Sequence, residues 1–173
     1  MLELVIDLLY PRRCPICGDI VIPKNKKACT NCYESLQYIV EPRCKKCSKP
    51  IDNEEQEYCY DCTKKSYHYK KGYALWPYDK VMKKSISDYK YHNRKEYADF
   101  YVEEFLKVYA HEIKKIEADV LVPVPIHKSK QKIRGYNQAE ILAQKIGKQL
   151  DIPVINDILI RNKKTLPQKG LSD

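Results

Sequence analysis

Eight cysteines occur in four pairs, and their spacing is the clearest chemical signal in the 173-residue sequence. Two residues separate the cysteines of each pair, so a tight turn can direct both thiolates at one metal ion. The pattern C-x2-C-x11-C-x2-C occurs twice with a constant offset of 30 residues, which is typical of a duplicated structural unit. The candidate ligands are Cys14, Cys17, Cys29, Cys32, Cys44, Cys47, Cys59 and Cys62.

Two clusters of four thiolates suit two zinc ions. Tetrahedral coordination by four protein sulfurs leaves no position for water or substrate, so we expect both ions to be structural. Sequential pairing, with one ion bound between Cys14 and Cys32 and the other between Cys44 and Cys62, lets each repeat fold as a unit. A cross-braced arrangement and mononuclear iron remain open. A thioredoxin-like redox pair would not explain four pairs on one period.

The N-terminal segment does not have the features of an export signal. It lacks a basic region, carries Glu3 and Asp7, and reaches Pro11 too early to span a membrane. We expect residues 1–10 to form a short amphipathic helix without membrane insertion. A cytoplasmic location follows, and in that reducing compartment the cysteines favour metal ligation over disulfides.

The chain is basic, and most of the excess charge lies late in the sequence. There are 32 Lys and Arg residues against 23 Asp and Glu, which gives a net charge of +9. Residues 126–172 hold ten basic and three acidic side chains. A basic surface attracts the phosphates of a nucleotide or of a nucleic-acid backbone. A lysine-rich solvated surface is the alternative interpretation.

After Cys62 the cysteines stop and the hydrophobic pattern changes. Residues 67–78 are rich in aromatic side chains and predict one or two strands. Asp79 is suited to cap a helix that continues to about Tyr91, and residues 94–117 predict a longer helix. The apolar stripe of that longer helix comprises Ala98, Val102, Phe105, Tyr109, Ile113 and Ile116.

A strand–helix–strand unit is predicted next. Residues 120–124 form a valine-rich run typical of a buried parallel strand, and residues 154–160 predict a second strand. Residues 137–150 predict the helix between them. Its inward-facing side chains are expected to be Ile141, Leu142, Ile146 and Leu150.

The loop expected before that helix is basic. Residues 126–137 contain four cations and no acidic residue, and they follow a strand at the edge where open α/β sheets bind ligands. The segment from His127 to Gln138, which includes Lys128, therefore predicts a phosphate or pyrophosphate site. A solvated basic loop is again the alternative.

Several short motifs resemble those of the ComF family. They are Val122-Pro-Val-Pro125, Arg134-Gly-Tyr-Asn-Gln138, Arg161-x3-Thr165-x2-Gln168 and, after the first long helix, Tyr89-Lys90-Tyr91. The resemblance covers the whole chain. It implies an N-terminal double zinc ribbon in residues 1–66, followed in residues 67–173 by a type I phosphoribosyltransferase-like α/β domain. The expected fold class is thus α+β overall, with a role in DNA uptake during natural transformation.

The resemblance also implies roles for particular residues. Arg134, Gly135, Asn137 and Gln138 would receive the pyrophosphate of phosphoribosyl pyrophosphate, together with His127 and Lys128 of the same segment. Arg161, Thr165 and Gln168 would belong to a mobile loop that closes over this ligand. A guanidinium that binds two phosphate oxygens at once and a lysine-rich closing loop agree with those roles.

One departure from the family pattern concerns the ribose 5-phosphate. The family has a strand ending in two acidic residues and then a Thr-Thr-Gly-type turn, and this sequence contains no such pattern. We therefore expect a C-terminally truncated product whose α/β domain is incomplete and marginally stable. Mg²⁺ with phosphoribosyl pyrophosphate is expected only in a full-length form, and no catalytic residue is assigned.

Three functional hypotheses follow from the sequence. The first is a competence protein related to phosphoribosyltransferases, in which catalysis by this chain is uncertain. The second is a single-stranded DNA-binding accessory protein in which Tyr58, Tyr60 and Tyr67 stack on bases. The third is a purely structural role for the ribbons, which would support the second domain or a partner from the competence machinery.

Overall fold

The computed structural model describes residues 10–165. Within that range the helices are α1 (Thr30–Glu34), α2 (Tyr60–Lys64), α3 (Lys80–Tyr91), α4 (Tyr97–Lys115), α5 (Lys128–Arg134) and α6 (Gln138–Leu150). The described residues divide into two compact units, one with residues 10–87 and 107–109 and the other with residues 88–106 and 110–165. The helix expected over residues 1–10 and the mobile-loop residue Gln168 lie outside the described range, and the domain boundary at residue 66 stays a prediction.

The first unit contains two copies of one backbone motif. An antiparallel bridge joins Arg13 to Ile20, and its equivalent joins Arg43 to Pro50, so the 30-residue sequence period is also a structural period. The short helices α1 and α2 begin 30 residues apart as well. Each hairpin turns through a residue in the left-handed region, Gly18 at φ 86° and Ser48 at φ 61°. The duplication predicted from the cysteines is therefore present in the fold.

Residues 67–78 contain no strand, which corrects the expectation for this aromatic segment. Its backbone groups bond elsewhere in the first unit: the Gly72 N–H donates to the Lys46 carbonyl and the Leu75 carbonyl accepts from the Ile39 N–H. The Ala74 carbonyl accepts from the buried Tyr109 hydroxyl at 2.7 Å. The aromatic side chains thus reflect packing against the ribbon unit rather than a sheet ladder.

The two helices expected after residue 78 are present with nearly the expected bounds. The Asp79 carboxylate accepts from the Met82 N–H at 2.8 Å and so caps α3 as predicted. Along α4 the stripe is buried at Ala98, Val102 and Tyr109, but Ile116 is 53% exposed. The stripe ends there because α4 itself ends at Lys115.

The strand–helix–strand unit is reduced to a single pair of residues. Leu121 and Val154 form an isolated parallel bridge, with the Leu121 N–H donating to the Pro153 carbonyl and the Ile155 N–H donating to the Leu121 carbonyl. The strands predicted over residues 120–124 and 154–160 are therefore wrong as strands, although their parallel pairing across α6 is present. Pro123 and Pro125 have no N–H to donate, which stops the ladder from extending.

Little strand is present in the described part of the chain, and the second unit is mostly helical. Residues 126–137, expected as a loop, contain the seven-residue helix α5. Within α6 the side chains expected to face inward are half-buried rather than fully buried. No helix among residues 10–165 combines the length and apolar character needed to cross a bilayer.

Candidate metal centres and anion site

Each repeat brings its four cysteines together around one point. The thiol sulfurs of Cys14, Cys17, Cys29 and Cys32 all lie within 4.8 Å of one another, and so do those of Cys44, Cys47, Cys59 and Cys62. A zinc ion with Zn–S bonds of about 2.3 Å at a tetrahedral site places its sulfurs about 3.8 Å apart. The sulfurs of Cys47 and Cys59 are 3.6 Å apart. The two clusters fit two structural zinc ions, and the ligands group sequentially rather than in a cross-braced way.

Backbone N–H groups stabilise the thiolate form of one cysteine in each cluster. In the first ribbon the Cys29 N–H points at the Cys14 sulfur at 3.5 Å. In the second ribbon burial raises the pKa of Cys44, but backbone N–H groups of Cys47, Cys59 and Lys46 together outweigh it and lower that pKa to about 6. The backbone around Cys14 and Cys44, one cysteine in each cluster, thus favours a charged sulfur before any metal binds.

Cys62 and Cys32 resist ionisation because they are desolvated and lie beside the other thiols of their clusters. Desolvation and the adjacent thiols of the cluster raise the pKa of Cys62 to about 12, and the same causes raise that of Cys32 to about 12. Four thiolates in such a space need a divalent cation to balance their charge. The donor set therefore fits Zn²⁺ in both electrostatics and geometry.

Two lysines near the clusters were not predicted. A Cβ atom placed on Gly18 would lie 3.1 Å from the Lys84 ammonium, so a cation lies beside the first knuckle. In the second ribbon, Lys49 interacts electrostatically with Cys47 and Cys59. Both ammonium groups offset the net negative charge of a zinc ion bound by four thiolates. Lys49 follows its knuckle directly and could have been found from the sequence, whereas Lys84 is far from Gly18 in sequence.

The predicted anion segment is ordered by caps at both ends. His127 is the N-cap of α5, and its Nδ1 accepts from the Ser129 N–H at 3.2 Å. Gly135 ends the helix in the left-handed region at φ 80°, and apart from its two chain neighbours no described residue has an atom within 4 Å of the position of a Cβ. Lys128 and Lys132 are exposed. The segment is thus a short basic helix followed by an open turn.

The next two residues have different structural roles. Asn137 caps α6: its Oδ1 accepts from the Ala139 N–H at 3.1 Å, and its Nδ2 donates to the Val124 carbonyl at 3.1 Å. Gln138 is only 7% exposed, and its Nε2 has no hydrogen-bond partner among the described residues. The Asn137 amide is therefore used in holding the turn, while the Gln138 amide retains donor capacity.

Two buried tyrosines, whose motifs were noted in the sequence without a role for either side chain, hold this turn against the end of α3. The Tyr89 hydroxyl donates to the Gln138 carbonyl at 2.9 Å, and the Tyr136 hydroxyl donates to the Tyr89 carbonyl. Burial raises the pKa of both phenols. Tyr136 lies within the Arg134–Gln138 motif, but its pairing with a residue 47 positions away has no local sequence signal.

The structure places Thr165, one of the predicted mobile-loop residues, beside the anion segment. The Lys130 ammonium of α5 donates to the Thr165 carbonyl at 3.3 Å, and the Arg161 guanidinium donates to the Thr165 hydroxyl. The Arg134 guanidinium lies over the Tyr91 ring, 4.9 Å from its centroid. Lys130 and Arg161, which are far apart in sequence, therefore both donate to Thr165.

Comparisons with known proteins support the double ribbon and extend over most of the chain. The family model of the double zinc ribbon domain matches residues 5–63, which covers both cysteine clusters. Competence protein F of Haemophilus influenzae is 31% identical over 171 residues, an alignment that covers 92% of this chain and 70% of that protein. The chain belongs to the ComF family.

A second relative supports the same assignment. Competence protein ComFC of Bacillus subtilis is 26% identical over 157 residues, which cover 84% of this ComF-family chain and 63% of the Bacillus protein. The chain thus spans less than two thirds of that relative's length. No solved structure matches the chain at a significant level. The family assignment therefore depends on the sequence relatives and on the zinc ribbon.

Proposed function

We propose that this zinc-binding, competence-related protein acts in DNA uptake during natural transformation, and that its second unit is a phosphoribosyltransferase-like module that binds a pyrophosphate-bearing ligand. The ribbons are structural in this proposal, since each cluster uses all four coordination positions for protein sulfur. The printed names of both relatives, Competence protein F and Competence protein ComFC, support the competence role.

The observation that carries the ligand part is the contact between the two motif-bearing segments. Lys130 belongs to the basic segment before α6, and Thr165 belongs to the segment proposed to close over the ligand. This contact brings the proposed closing segment beside a basic segment, an arrangement suited to enclosing an anion. Pyrophosphate would be bound there by Arg134, Gly135 and Gln138 with support from His127 and Lys128.

The proposal does not assign catalysis to this chain. The sequence contains no acidic pair followed by a Thr-Thr-Gly-type turn, the feature expected to cradle the ribose 5-phosphate. Phosphoribosyl pyrophosphate with Mg²⁺ should therefore bind no more tightly than inorganic pyrophosphate. A longer form that carries such a motif would be expected to gain affinity from the sugar phosphate.

Titration calorimetry of the zinc-loaded chain with inorganic pyrophosphate tests the ligand part. Arg134→Gln should weaken binding at least about tenfold, because a charge-assisted bidentate hydrogen bond contributes about 1.5–3 kcal/mol. Lys148→Gln removes the same charge at the exposed far end of α6 and is the matched control. Equal weakening in the two variants would mean that only net charge matters, and the pyrophosphate site would be wrong.

A gene deletion tests the biological role. In the organism that encodes the chain, we expect deletion to reduce the frequency of transformation by added DNA, and restoration of the intact gene to recover it. A variant with Cys44 and Cys47 changed to serine should fail to restore the frequency. An unchanged frequency in the deletion strain would refute the competence role.

A second candidate function, binding of single-stranded DNA by the ribbon unit, is favoured by exposed aromatic rings with nearby cations. Tyr60 is 70% exposed, and the Lys64 ammonium lies 5.7 Å from its ring centroid. The Tyr67 and Tyr69 rings pair at 5.5 Å, with Lys46 5.6 Å from the Tyr69 ring. Such groups suit sequence-tolerant base stacking.

Fluorescence anisotropy with a labelled oligothymidine tests this second candidate. Binding that falls steeply with salt and that Tyr60→Ala weakens would support it. Tyr10→Ala, which also removes an exposed tyrosine from the described range, is the control. Binding that neither salt nor Tyr60→Ala changes would contradict a stacking role for the ribbon.

A further inference from the structure

The two ribbons have the same cysteine spacing, but they expose their cysteines differently. Cys17 of the first ribbon is exposed, whereas Cys47, its equivalent 30 residues later, is half-buried. Cys29 is half-buried, whereas its equivalent Cys59 is only 4% exposed. At two of the four ligand positions, small reagents therefore reach the first cluster more easily than the second. Access of this kind helps to decide which thiolates react.

Hydrogen bonds and ion pairs connect the two knuckles of the second ribbon. The Lys45 N–H donates to the Glu57 carbonyl at 2.9 Å. The side chains of the same two residues form an ion pair, and the Lys49 ammonium lies 3.2 Å from the Asp61 carboxylate. Each exposed ion pair contributes little alone. Together with the backbone bond, however, the two pairs oppose separation of the knuckles.

Residues 67–72 also protect the second ribbon. The Ser48 hydroxyl donates to the Gly72 carbonyl at 2.8 Å, and the Gly72 N–H donates to the Lys46 carbonyl at 2.6 Å. Tyr69, within the same segment, interacts electrostatically with two cysteines of the second cluster. These contacts hold the segment against the knuckle, so a reagent must displace it to reach those sulfurs freely.

The first ribbon carries different residues at the equivalent positions. Pro15 stands where the second ribbon has its first pairing lysine, and it has neither an N–H to donate nor a charge. The partner position holds Lys27 instead of a glutamate. Asp19 and Asn31 occupy the positions of the second ion pair and cannot form one. Gly18, at the position of the serine, has no hydroxyl. The first ribbon therefore lacks the side chains that connect and cover the second.

Within the first cluster, Cys17 and Cys32 are the most accessible pair in contact. Cys14 is 0% exposed. The Cys29 sulfur is held by the backbone of residues 20–22, with an N–H at 3.4 Å and a carbonyl oxygen at 3.7 Å. Cys32 is half-buried, and its thiol interacts directly with that of Cys17. Since the sulfurs of the cluster lie within 4.8 Å of one another, these two need only a small approach to form a bond.

We propose that the first ribbon is an oxidation site, at which hydrogen peroxide converts Cys17 and Cys32 to a disulfide and one zinc ion is released, while the second ribbon retains its zinc. The two thiolates that remain in the first cluster are too few for a structural zinc site, which needs four protein ligands. The inference does not depend on the proposed anion site, because both cysteines lie in the ribbon unit.

The reaction balances in two steps. The Cys17 thiolate attacks one oxygen of peroxide, the O–O bond breaks, and a sulfenic acid and hydroxide form. The Cys32 thiolate then attacks the sulfenic sulfur, so that the S–S bond forms, the S–O bond breaks and a second hydroxide leaves. Two electrons pass from the two thiolates to peroxide, and each hydroxide takes a proton from solvent to become water.

Zinc release from the zinc-loaded chain in excess hydrogen peroxide tests the inference, with a chromogenic zinc indicator as the readout. For the wild type we expect two phases of one zinc ion each, the first at least about tenfold faster than the second because of access to its sulfurs. Samples alkylated during the first phase and digested with trypsin should contain peptide 14–24 linked to peptide 28–43. Fragmentation of the linked peptides should locate the bond between Cys17 and Cys32.

One variant transfers protection to the first ribbon. Pro15→Lys combined with Lys27→Glu supplies the N–H and the ion pair that the second ribbon has at these positions. It should slow the first phase about two- to tenfold, the factor that corresponds to one ordinary hydrogen bond. Lys27→Glu alone changes the charge without supplying a donor at position 15. It is the control and should leave the first phase unchanged.

A second variant removes protection from the second ribbon. Ser48→Gly loses the hydroxyl bond to Gly72 at a position whose φ of 61° suits glycine, so the fold should be retained. It should speed the second phase by a similar factor, about two- to tenfold. Thr63→Ala loses a hydroxyl bond to the Tyr60 carbonyl in the same ribbon without releasing residues 67–72, and it should leave the second phase unchanged.

The wild-type protein alone can overturn the inference. Release of both zinc ions in one phase would mean that the ribbons do not differ in protection. A first disulfide between cysteines of the second cluster, or one that joins Cys17 to a cysteine other than Cys32, would contradict the assigned site. Two phases with the expected disulfide, but with no response to either variant, would refute the stated cause of the difference.

Discussion

Gly147→Ala is expected to destabilise the chain, although alanine is the better helix former. Gly147 lies within α6, where the replacement ordinarily stabilises a helix by about 1 kcal/mol. Here a Cβ atom would lie 2.5 Å from the Ile152 carbonyl oxygen and 2.8 Å from Val154 Cγ2. Neither distance is compatible with ordinary van der Waals contact. The glycine is therefore needed for the close approach of α6 to the segment that follows it.

The size of the effect follows from how little the neighbours can move. The Ile152 N–H donates to the Gly147 carbonyl at 3.0 Å, and the next carbonyl, that of Pro153, accepts from the Leu121 N–H at 2.8 Å, so the contacting backbone is held on both sides. Val154 has a β-branched side chain with restricted χ1 and is paired to Leu121 in the parallel bridge. Overpacking of such a site costs about 1–3 kcal/mol. We expect the upper end of that range, and a net loss of about 2 kcal/mol after the helix-propensity gain.

Hydrogen exchange at single residues is the suitable assay, because the only tryptophan, Trp76, lies in the other unit. The amides of Leu121 and Ile155 donate the two hydrogen bonds of the bridge. A loss of about 2 kcal/mol should speed their exchange about 30-fold, since about 1.4 kcal/mol corresponds to a factor of ten. Amides of the ribbon unit should keep their rates.

Gly135→Ala is the matched comparison, since we expect it to lower stability through its backbone conformation rather than through a steric clash. At Gly135 there is space for a Cβ, but the backbone has φ 80°, which costs an L-residue about 1–2 kcal/mol. Gly135→Asn should recover part of that loss because asparagine tolerates this region, whereas no side chain at Gly147 should be tolerated. Slower exchange at Leu121 in Gly147→Ala would refute the close-approach argument.

Three further predictions concern other parts of the chain. Tyr109→Phe should lower the free energy of unfolding of the ribbon unit by about 1–2 kcal/mol, because the buried Tyr109 hydroxyl accepts from Arg43 at 2.6 Å and donates to the Ala74 carbonyl. Trp76 fluorescence during unfolding in urea measures this loss, and an unchanged midpoint would contradict it. A strong chelator should remove two zinc ions per chain, with loss of the Trp76 fluorescence signal of the folded ribbon unit. Removal of only one zinc ion would mean that one of the two clusters does not bind zinc. Because burial raises the pKa of Tyr89, the stability that depends on its neutral hydroxyl is complete below the unfolded value near about 10 and is lost as pH rises through the folded pKa. Tyr89→Phe loses the hydrogen bond to Gln138 at every pH but should make the free energy of unfolding, followed by circular dichroism, fall less steeply above about pH 10; an unchanged slope would argue against this.

The parts of the fold that the sequence predicted are those governed by local spacing. The knuckles, their period and their sequential grouping follow from the number of residues between cysteines, and the cap at Asp79 follows from a side chain adjacent to its helix. These features depend on chain geometry over a few residues. The family could be assigned from the sequence for the same reason, because the motifs that carry the resemblance are short and contiguous.

The parts that were wrong or missed depend on distant residues or on missing donors. A valine-rich run predicts a strand, but prolines at 123 and 125 remove the N–H groups that would extend a ladder. α5 was expected as a loop because it carries no apolar face: its one large apolar side chain, Ile133, is 90% exposed. The Tyr89–Tyr136 contact that orders the anion segment joins residues far apart in sequence, so periodicity could not reveal it.

The near identity of the two ribbons has a consequence for how the chain acquires its metal. All four knuckles have the same spacing, so a zinc ion captured by one pair of cysteines cannot distinguish the correct second pair from the others. Chain connectivity must make the choice. Closing the 11-residue loop from Cys17 to Cys29 costs about 1 kcal/mol less entropy than closing the 41-residue loop from Cys17 to Cys59. That preference is small, so mispaired zinc complexes should form early and rearrange by exchange of thiolates, and slow zinc delivery should favour a correctly assembled protein.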